Sequence, residues 1–187
     1  MAYFPMFFSL DGKKILLIGA GYIGSEKLEK LLDFTKDITI IADFISEYVQ
    51  TQARKYNIKV IEKKYSLGDI KGFDIVIVAI DDIKLQEQIY KECKKQNILC
   101  NCVDLQRCCD FIFPSYIKEG DLTVAISTSG SSPAFAKLFK RYIKEKIPED
   151  ISTFLKQMRA LRKELPKGKD RMQLLEKKVK EYIKRWN

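Results

Sequence analysis

The chain has 187 residues, 46% of them hydrophobic, and a formal net charge of +9. That length holds one domain, or one domain and a smaller appendage, and that apolar content excludes general disorder. The sequence contains no histidine, which excludes Ser-His-Asp and Cys-His catalysis, the usual zinc sites and any histidine base.

Charge is spread unevenly. Lys137 to Asn187 carry 17 Lys and Arg against 7 Asp and Glu, a net of +10, which leaves 17 against 18 for residues 1–136. Such a basic end attracts an anionic partner: nucleic acid, a membrane surface or a polycarboxylate ligand. No apolar run reaches the length of a membrane span. The apolar stretch Met1–Leu10 lacks a basic start and a small-residue cleavage site and contains Pro5, so it reads as part of the fold and the protein as cytoplasmic. Cys93, Cys100, Cys102, Cys108 and Cys109 form no C-x-x-C pair and read as reduced thiols, with no resident metal site.

In chain order, Ile15–Ile18 is a continuous apolar run that ends at glycines, followed by a helical pattern from about Tyr22 to Phe34. Strands are expected at Ile38–Ile41, Ile58–Ile61, Ile75–Ala79 and near Ile98–Cys100. Apolar strands without polar alternation, separated by helices, predict an α/β fold with a Rossmann-type parallel sheet. After Asp104 the pattern changes. Phe111–Pro114 and Leu122–Ile126 are strand-like, joined through a turn at Glu119-Gly120-Asp121. Pro133 is placed to open a helix after the polar loop Ser127–Ser132. Two apolar stripes at helical spacing follow, Ile151 to Leu165 and Met172 to Trp186, separated by Pro166-Lys167-Gly168. The division expected is 1-109 for dinucleotide binding, 110-147 for a small β-rich dimerisation segment and 148-187 for a basic helical part.

Gly19-Ala20-Gly21-Tyr22-Ile23-Gly24 is a G-x-G-x-x-G sequence between a buried-type strand and a helix, the context this motif needs. Gly19 permits the tight turn, Gly21 lets a pyrophosphate approach the backbone, and Gly24 permits close packing of helix on strand. The helix N-terminus offers free N–H groups to the phosphates. Asp43 lies 19 residues beyond Gly24, where a carboxylate accepts from ribose hydroxyls and repels a 2′-phosphate; that favours NAD over NADP. Its bland alternative is a helix cap, and that of the glycines a turn without ligand. After the fourth strand come Ala79, then Asp81 to line the cofactor cleft and Asp82, which either joins it or caps the next helix.

These residues, with Pro5-Met6-Phe7, Glu26-Lys27, Ala79–Asp82, Asn101–Asp104, Phe111–Ser115 and Val124–Pro133, resemble the precorrin-2 dehydrogenase family. That family includes the N-terminal part of sirohaem synthase and bifunctional dehydrogenase/ferrochelatases. The resemblance is close over about residues 3–145 and looser over the basic tail. It implies NAD-dependent oxidation of precorrin-2 to sirohydrochlorin, in a homodimer whose two chains exchange strands and build the site together. It assigns catalysis to Asp104 and NAD contact to Tyr22, Ile23, Asp43 and Phe44, and sets Thr128 beside the tetrapyrrole. Residue chemistry agrees: dehydrogenation needs a proton acceptor beside the hydride acceptor, and without histidine a carboxylate is the natural one. Asn101 is placed to orient Asp104, which otherwise has a turn or capping role. Ser127, Thr128, Ser129, Gly130 and Ser131 offer hydroxyl and N–H donors to the substrate's carboxylates, or form only the loop that opens a helix. The basic tail holds or steers the same groups.

Many relatives carry a second acid after the catalytic one, where this chain has Leu105. Insertion of ferrous iron into sirohydrochlorin, which some relatives perform with the same acid, is left open, and four cysteines near Asp104 are a candidate for iron delivery. No methyltransferase segment is read after the tail, so the dehydrogenase part alone is expected. The competing readings are a non-enzymatic NAD-sensing regulatory domain and a nucleic-acid-binding regulator. The first leaves the Asn101–Ser115 stretch unexplained, and the second lacks a recognition motif, so no nucleic-acid partner is expected.

Overall fold

The computed structural model describes residues 3–186; Met1, Ala2 and Asn187, at the outer ends of the expected first and third parts, lie outside them. The chain divides into two compact units, one of residues 4–112 and one from Phe113 onward that also takes in Tyr3.

In the first unit, apolar runs become strands β1 (Ile15–Ala20), β2 (Ile38–Ile45), β3 (Lys59–Glu62), β4 (Ile75–Val78) and β5 (Leu99–Cys102), all parallel in the order β3-β2-β1-β4-β5. Helices α1 (Tyr22–Leu32), α2 (Glu47–Tyr56) and α3 (Ile83–Lys95) alternate with them. Every residue of β1 and β4 is buried, as befits strands covered on both faces. The chain steps outward from β1 to β3 and then returns to β4 on the other side of β1. That reversal opens a crevice at the carboxyl ends of β1 and β4.

One core cluster joins Leu16, Ile18, Val76, Val78 and Ile89 to Cys93, Cys100, Cys102 and Cys108. Unpaired thiols pack there as small hydrophobes, which carries β5 two residues further than its apolar letters indicate, through Asn101 and Cys102. β2 is also longer than expected and contains Asp43 and Phe44.

In the second unit, β6 (Ser115–Glu119) and β7 (Leu122–Ile126) form an antiparallel hairpin closed by Gly120 and Asp121. Phe111–Pro114, expected as a strand, is not one; the strand begins where the segment ends. Two causes are visible. Pro114 has no N–H for a ladder, and the pairing of Glu119 with Leu122 sets β6 against β7 so that Ser115 meets Ile126, the last residue of β7.

Helices α4 (Pro133–Lys146), α5 (Ile151–Glu164) and α6 (Lys169–Ile183) complete this unit. Gly120 has φ +59°, and a Cβ there would stand 2.2 Å from Ser152 Oγ, so the start of α5 lies against the hairpin turn. α5 and α6 meet through Phe154 and Tyr182, whose rings stack at 3.8 Å, and the Tyr182 hydroxyl donates to Asp150 Oδ1 at 2.7 Å. Among the described residues no helix is long and apolar enough to cross a membrane.

Candidate active site

The turn between β1 and α1 is built from backbone on backbone. Gly19 has φ +96°, and a Cβ on it would lie 2.1 Å from the carbonyl oxygen of Ala79. At Gly24 a Cβ would lie 2.2 Å from the carbonyl oxygen of Gly19. Both positions therefore require glycine for space, and Gly19 also for conformation. Gly21 differs: it is extended, at φ −77° and ψ −155°, and a Cβ would meet nothing within 4 Å. The open space lies over the start of α1, whose first turn has no capping side chain. A glycine with free space above it, beside uncapped N–H groups, fits a pyrophosphate. Tyr22 and Ile23 are exposed beside it.

Asp43 and Phe44 are both exposed toward the carboxyl end of β2. The cap of α2 is Ser46, whose Oγ accepts from Val49 N at 3.4 Å, so the capping alternative for Asp43 is set aside. Ser46 Oγ also lies 2.8 Å from Ser25 Oγ on α1. Beyond β4, Ala79 N donates to Ile18 O at 2.7 Å and Asp81 is exposed. Asp82 caps α3, its Oδ1 accepting from Leu85 N at 3.0 Å.

Asp104 stands exposed two residues past β5. Its carboxylate accepts from Gln86 Nε2 at 3.3 Å, and this corrects the expectation for Asn101. The Asn101 side chain is buried, and its Nδ2 donates to the Phe111 carbonyl at 2.8 Å and to Cys109 Sγ at 3.5 Å. It faces the segment it pins rather than the acid, and its Oδ1 is buried without a partner. Lys27 of α1 also acts on this corner. Burial and neighbouring Lys30 push its ammonium below the ordinary lysine range, while Glu26, Cys109 and Asp104 pull the other way.

The five cysteines are buried and unpaired, which removes them from contact with a passing ion. Cys109 Sγ donates to Cys102 O at 3.0 Å. Burial pushes the Cys108 and Cys109 thiols up. Among the described residues no group of three or more Cys, Asp and Glu is placed to hold a metal ion.

In the second unit, the loop before α4 is a tight turn in which Ser129 and Gly130 both have positive φ and Ser131 N donates to Thr128 O at 2.9 Å. Ser127 Oγ accepts from Ser129 N at 3.1 Å, Thr128 Oγ1 from Ser132 N at 3.1 Å, and Ser132 Oγ caps α4 through Phe135 N at 3.2 Å. Each hydroxyl that accepts in this way keeps its own proton to donate outward. The loop therefore both opens a helix and presents donors.

Sequence reasoning missed Gln86 and the place of Lys27. The signal for Gln86 was its spacing: it shares the stripe of Ile89 and Cys93 along α3, a polar residue where an apolar one belongs.

Residues 6–115 match the family model described as putative NAD(P)-binding, and residues 119–146 match that described as sirohaem biosynthesis protein central. The chain belongs to the putative NAD(P)-binding family. It is 34% identical over 156 residues to the siroheme synthase of Buchnera aphidicola subsp. Acyrthosiphon pisum, covering 83% of this chain and 33% of that one. The siroheme synthase of Nitrosococcus oceani is also 34% identical, over 149 residues, 80% of this chain and 32% of the other. The chain thus spans about a third of the length of these relatives. Among solved structures, SirC, precorrin-2 dehydrogenase, superposes with a TM-score of 0.76 at 24% identity, covering 94% of this chain and 88% of that one. The resemblance read from the sequence is upheld, and the fold is that of this structural neighbour.

Proposed function

We propose that the chain oxidises precorrin-2 to sirohydrochlorin with NAD, as the dehydrogenase part of sirohaem biosynthesis. The observation that carries the reading is Asp104: an exposed carboxylate, held by a buried amide, just past a strand of the sheet that also carries the glycine turn and Asp43. It is supported by the names of the relatives and of the structural neighbour.

Gly19, Gly21, Gly24, Tyr22 and Ile23 would hold the pyrophosphate and its flank, Asp43 and Phe44 the adenosine ribose and base, and Ala79 and Asp81 the nicotinamide side. NAD, when bound, supplies the hydride acceptor. Asp104 takes the substrate proton as general base. Asn101, through the Phe111 carbonyl, shapes the floor beneath the substrate, and Ser127, Thr128, Ser129, Gly130 and Ser131 donate to its carboxylates. In this reading residues 1-109 bind dinucleotide, 110-147 pair two chains, and the basic 148-187 draws in the polyanion. A homodimer accounts for the exposed apolar side chains Phe4, Met6 and Phe7 in one unit and Phe135, Leu138 and Tyr142 in the other.

The deciding assay is turnover of precorrin-2 with NAD in the absence of metal. Sirohydrochlorin and NADH are expected in equal amounts, and Asp104→Asn is expected to slow both at least about a hundredfold while leaving NAD binding intact. Binding of NAD without turnover by the parent chain would instead favour a sensor of dinucleotide.

A further inference from the structure

Gln86 is fully buried one turn into α3, on the stripe that includes Ile89 and Cys93, both equally buried. Its Nε2 donates to Ile80 O at 2.7 Å and to Asp104 Oδ2 at 3.3 Å. Both acceptors lack hydrogens to give when Asp104 is ionised, so the amide cannot be turned over without setting oxygen against oxygen. Its own carbonyl accepts from Cys102 Sγ at 3.6 Å, which ties the same residue to β5. The side-chain Oε1, in contrast, is buried with no partner.

An orphaned buried acceptor costs stability, and an apolar side chain of similar length would avoid that cost but leave the Ile80 carbonyl without its donor. Apolar packing alone therefore does not account for glutamine at this position. What the amide accomplishes is a bridge: one NH2 group spans Ile80, which lies between Ala79 and Asp81 at the end of β4, and the acid beyond β5.

We infer that Gln86 is the positioning residue of Asp104, fixing the carboxylate against the strand edge that carries the nicotinamide side of the site. The inference rests on the reading of Asp104 as the base. Gln86 touches neither cofactor nor substrate in this scheme and acts only through the acid it holds. The other groups acting at this corner are Lys27 from α1 and the Cys109 thiol; Glu87, next to Gln86 on α3, is engaged by Arg107.

The test uses the full chain with Gln86→Met and Gln86→Glu, alone and combined with Asp104→Asn. Two readouts are taken: steady-state oxidation of precorrin-2 with NAD, and the position and line width of the Asp104 carboxyl resonance in carbon NMR. In Gln86→Met, kcat should fall on the order of tenfold with KM for both substrates within about twofold. Its melting temperature should fall by no more than a few degrees, because the orphaned oxygen leaves with the amide and offsets the donor that the Ile80 carbonyl loses. The Asp104 carboxyl resonance should change position and broaden, since the donor that holds it is gone. Gln86→Glu, which keeps the length but not the NH2 group, should lower kcat at least as far. Combined with Asp104→Asn, Gln86→Met should cost nothing more.

An Asp104 carboxyl resonance unchanged in position and width, kcat within about twofold of the parent, or a loss that persists undiminished in the Asp104→Asn background would each overturn the assignment. Should the parent chain fail to oxidise precorrin-2, the proposed function falls, and the Asp104 resonance still decides the role of Gln86.

Discussion

Gly19 and Gly21 of the β1–α1 turn have different duties, and alanine at each separates them. At Gly19 a methyl group meets the Ala79 carbonyl at 2.1 Å on a backbone with φ +96°. Gly19→Ala should destabilise the chain by at least about 2 kcal/mol, read from urea unfolding. At Gly21 the space is open, so Gly21→Ala should fold with nearly unchanged stability and yet bind NAD weakly by calorimetry, because the methyl occupies the place of the phosphates. Equal unfolding midpoints for the two variants would contradict this account. Asp43 is exposed and caps nothing; Asp43→Ala should narrow the preference for NAD over NADP by about tenfold or more, measured by titrating both. The turn and the exposed carboxylate were legible in the letters because glycine spacing and an acid after a β-branched run are local features. Asn101 and Gln86 were not. Both are amides, and only the fold decides that the one nearer to Asp104 in sequence turns to Phe111 while the one 18 residues away holds the acid.

Elements were read well where a single local rule decides them. β1, β4 and α1 follow from buried apolar runs and glycines, and α4 from Ser132 and Pro133. Ser132→Ala should cost about 1 kcal/mol by thermal unfolding, since its Oγ caps Phe135 N. The segment before β6 was misread because aromatic and branched letters at Phe111–Phe113 satisfy a strand pattern, while pairing is decided by the turn at Gly120 and Asp121. Contact between α5 and α6 has a pH dependence of its own. Burial, and then the hydrogen bond to Asp150, push the Tyr182 hydroxyl from its ordinary 10.0 up to about 12. A phenol whose folded value is raised stabilises the fold fully below the unfolded value and less as pH climbs through the folded one. The helical pair should thus weaken between about pH 10 and 12, and Tyr182→Phe should remove that part of the dependence in circular-dichroism titrations.

At the scale of the whole molecule, the +10 of residues 137–187 against −1 before them should make capture of the proposed substrate sensitive to salt. With a substrate rich in carboxylates, KM should climb with ionic strength while kcat holds, and neutralising Lys177, Lys180 and Lys184 on and just past α6 should flatten that climb. A kcat that falls in step with salt would instead place the charges in the chemical step. The inner side of the molecule carries a different consequence. Five thiols are shielded, and their sulfurs are spent on packing and on contacts such as that between Cys109 and the Cys102 carbonyl. While native, the thiols should resist oxidants, because a shielded thiol is a poor nucleophile. Once opened by heat in air, all five become reactive together, and wrongly joined sulfurs no longer fit the space they left. Melting should therefore be a one-way event under oxygen and a reversible one under a reductant, so that the same chain reports two different durabilities according to the gas above it.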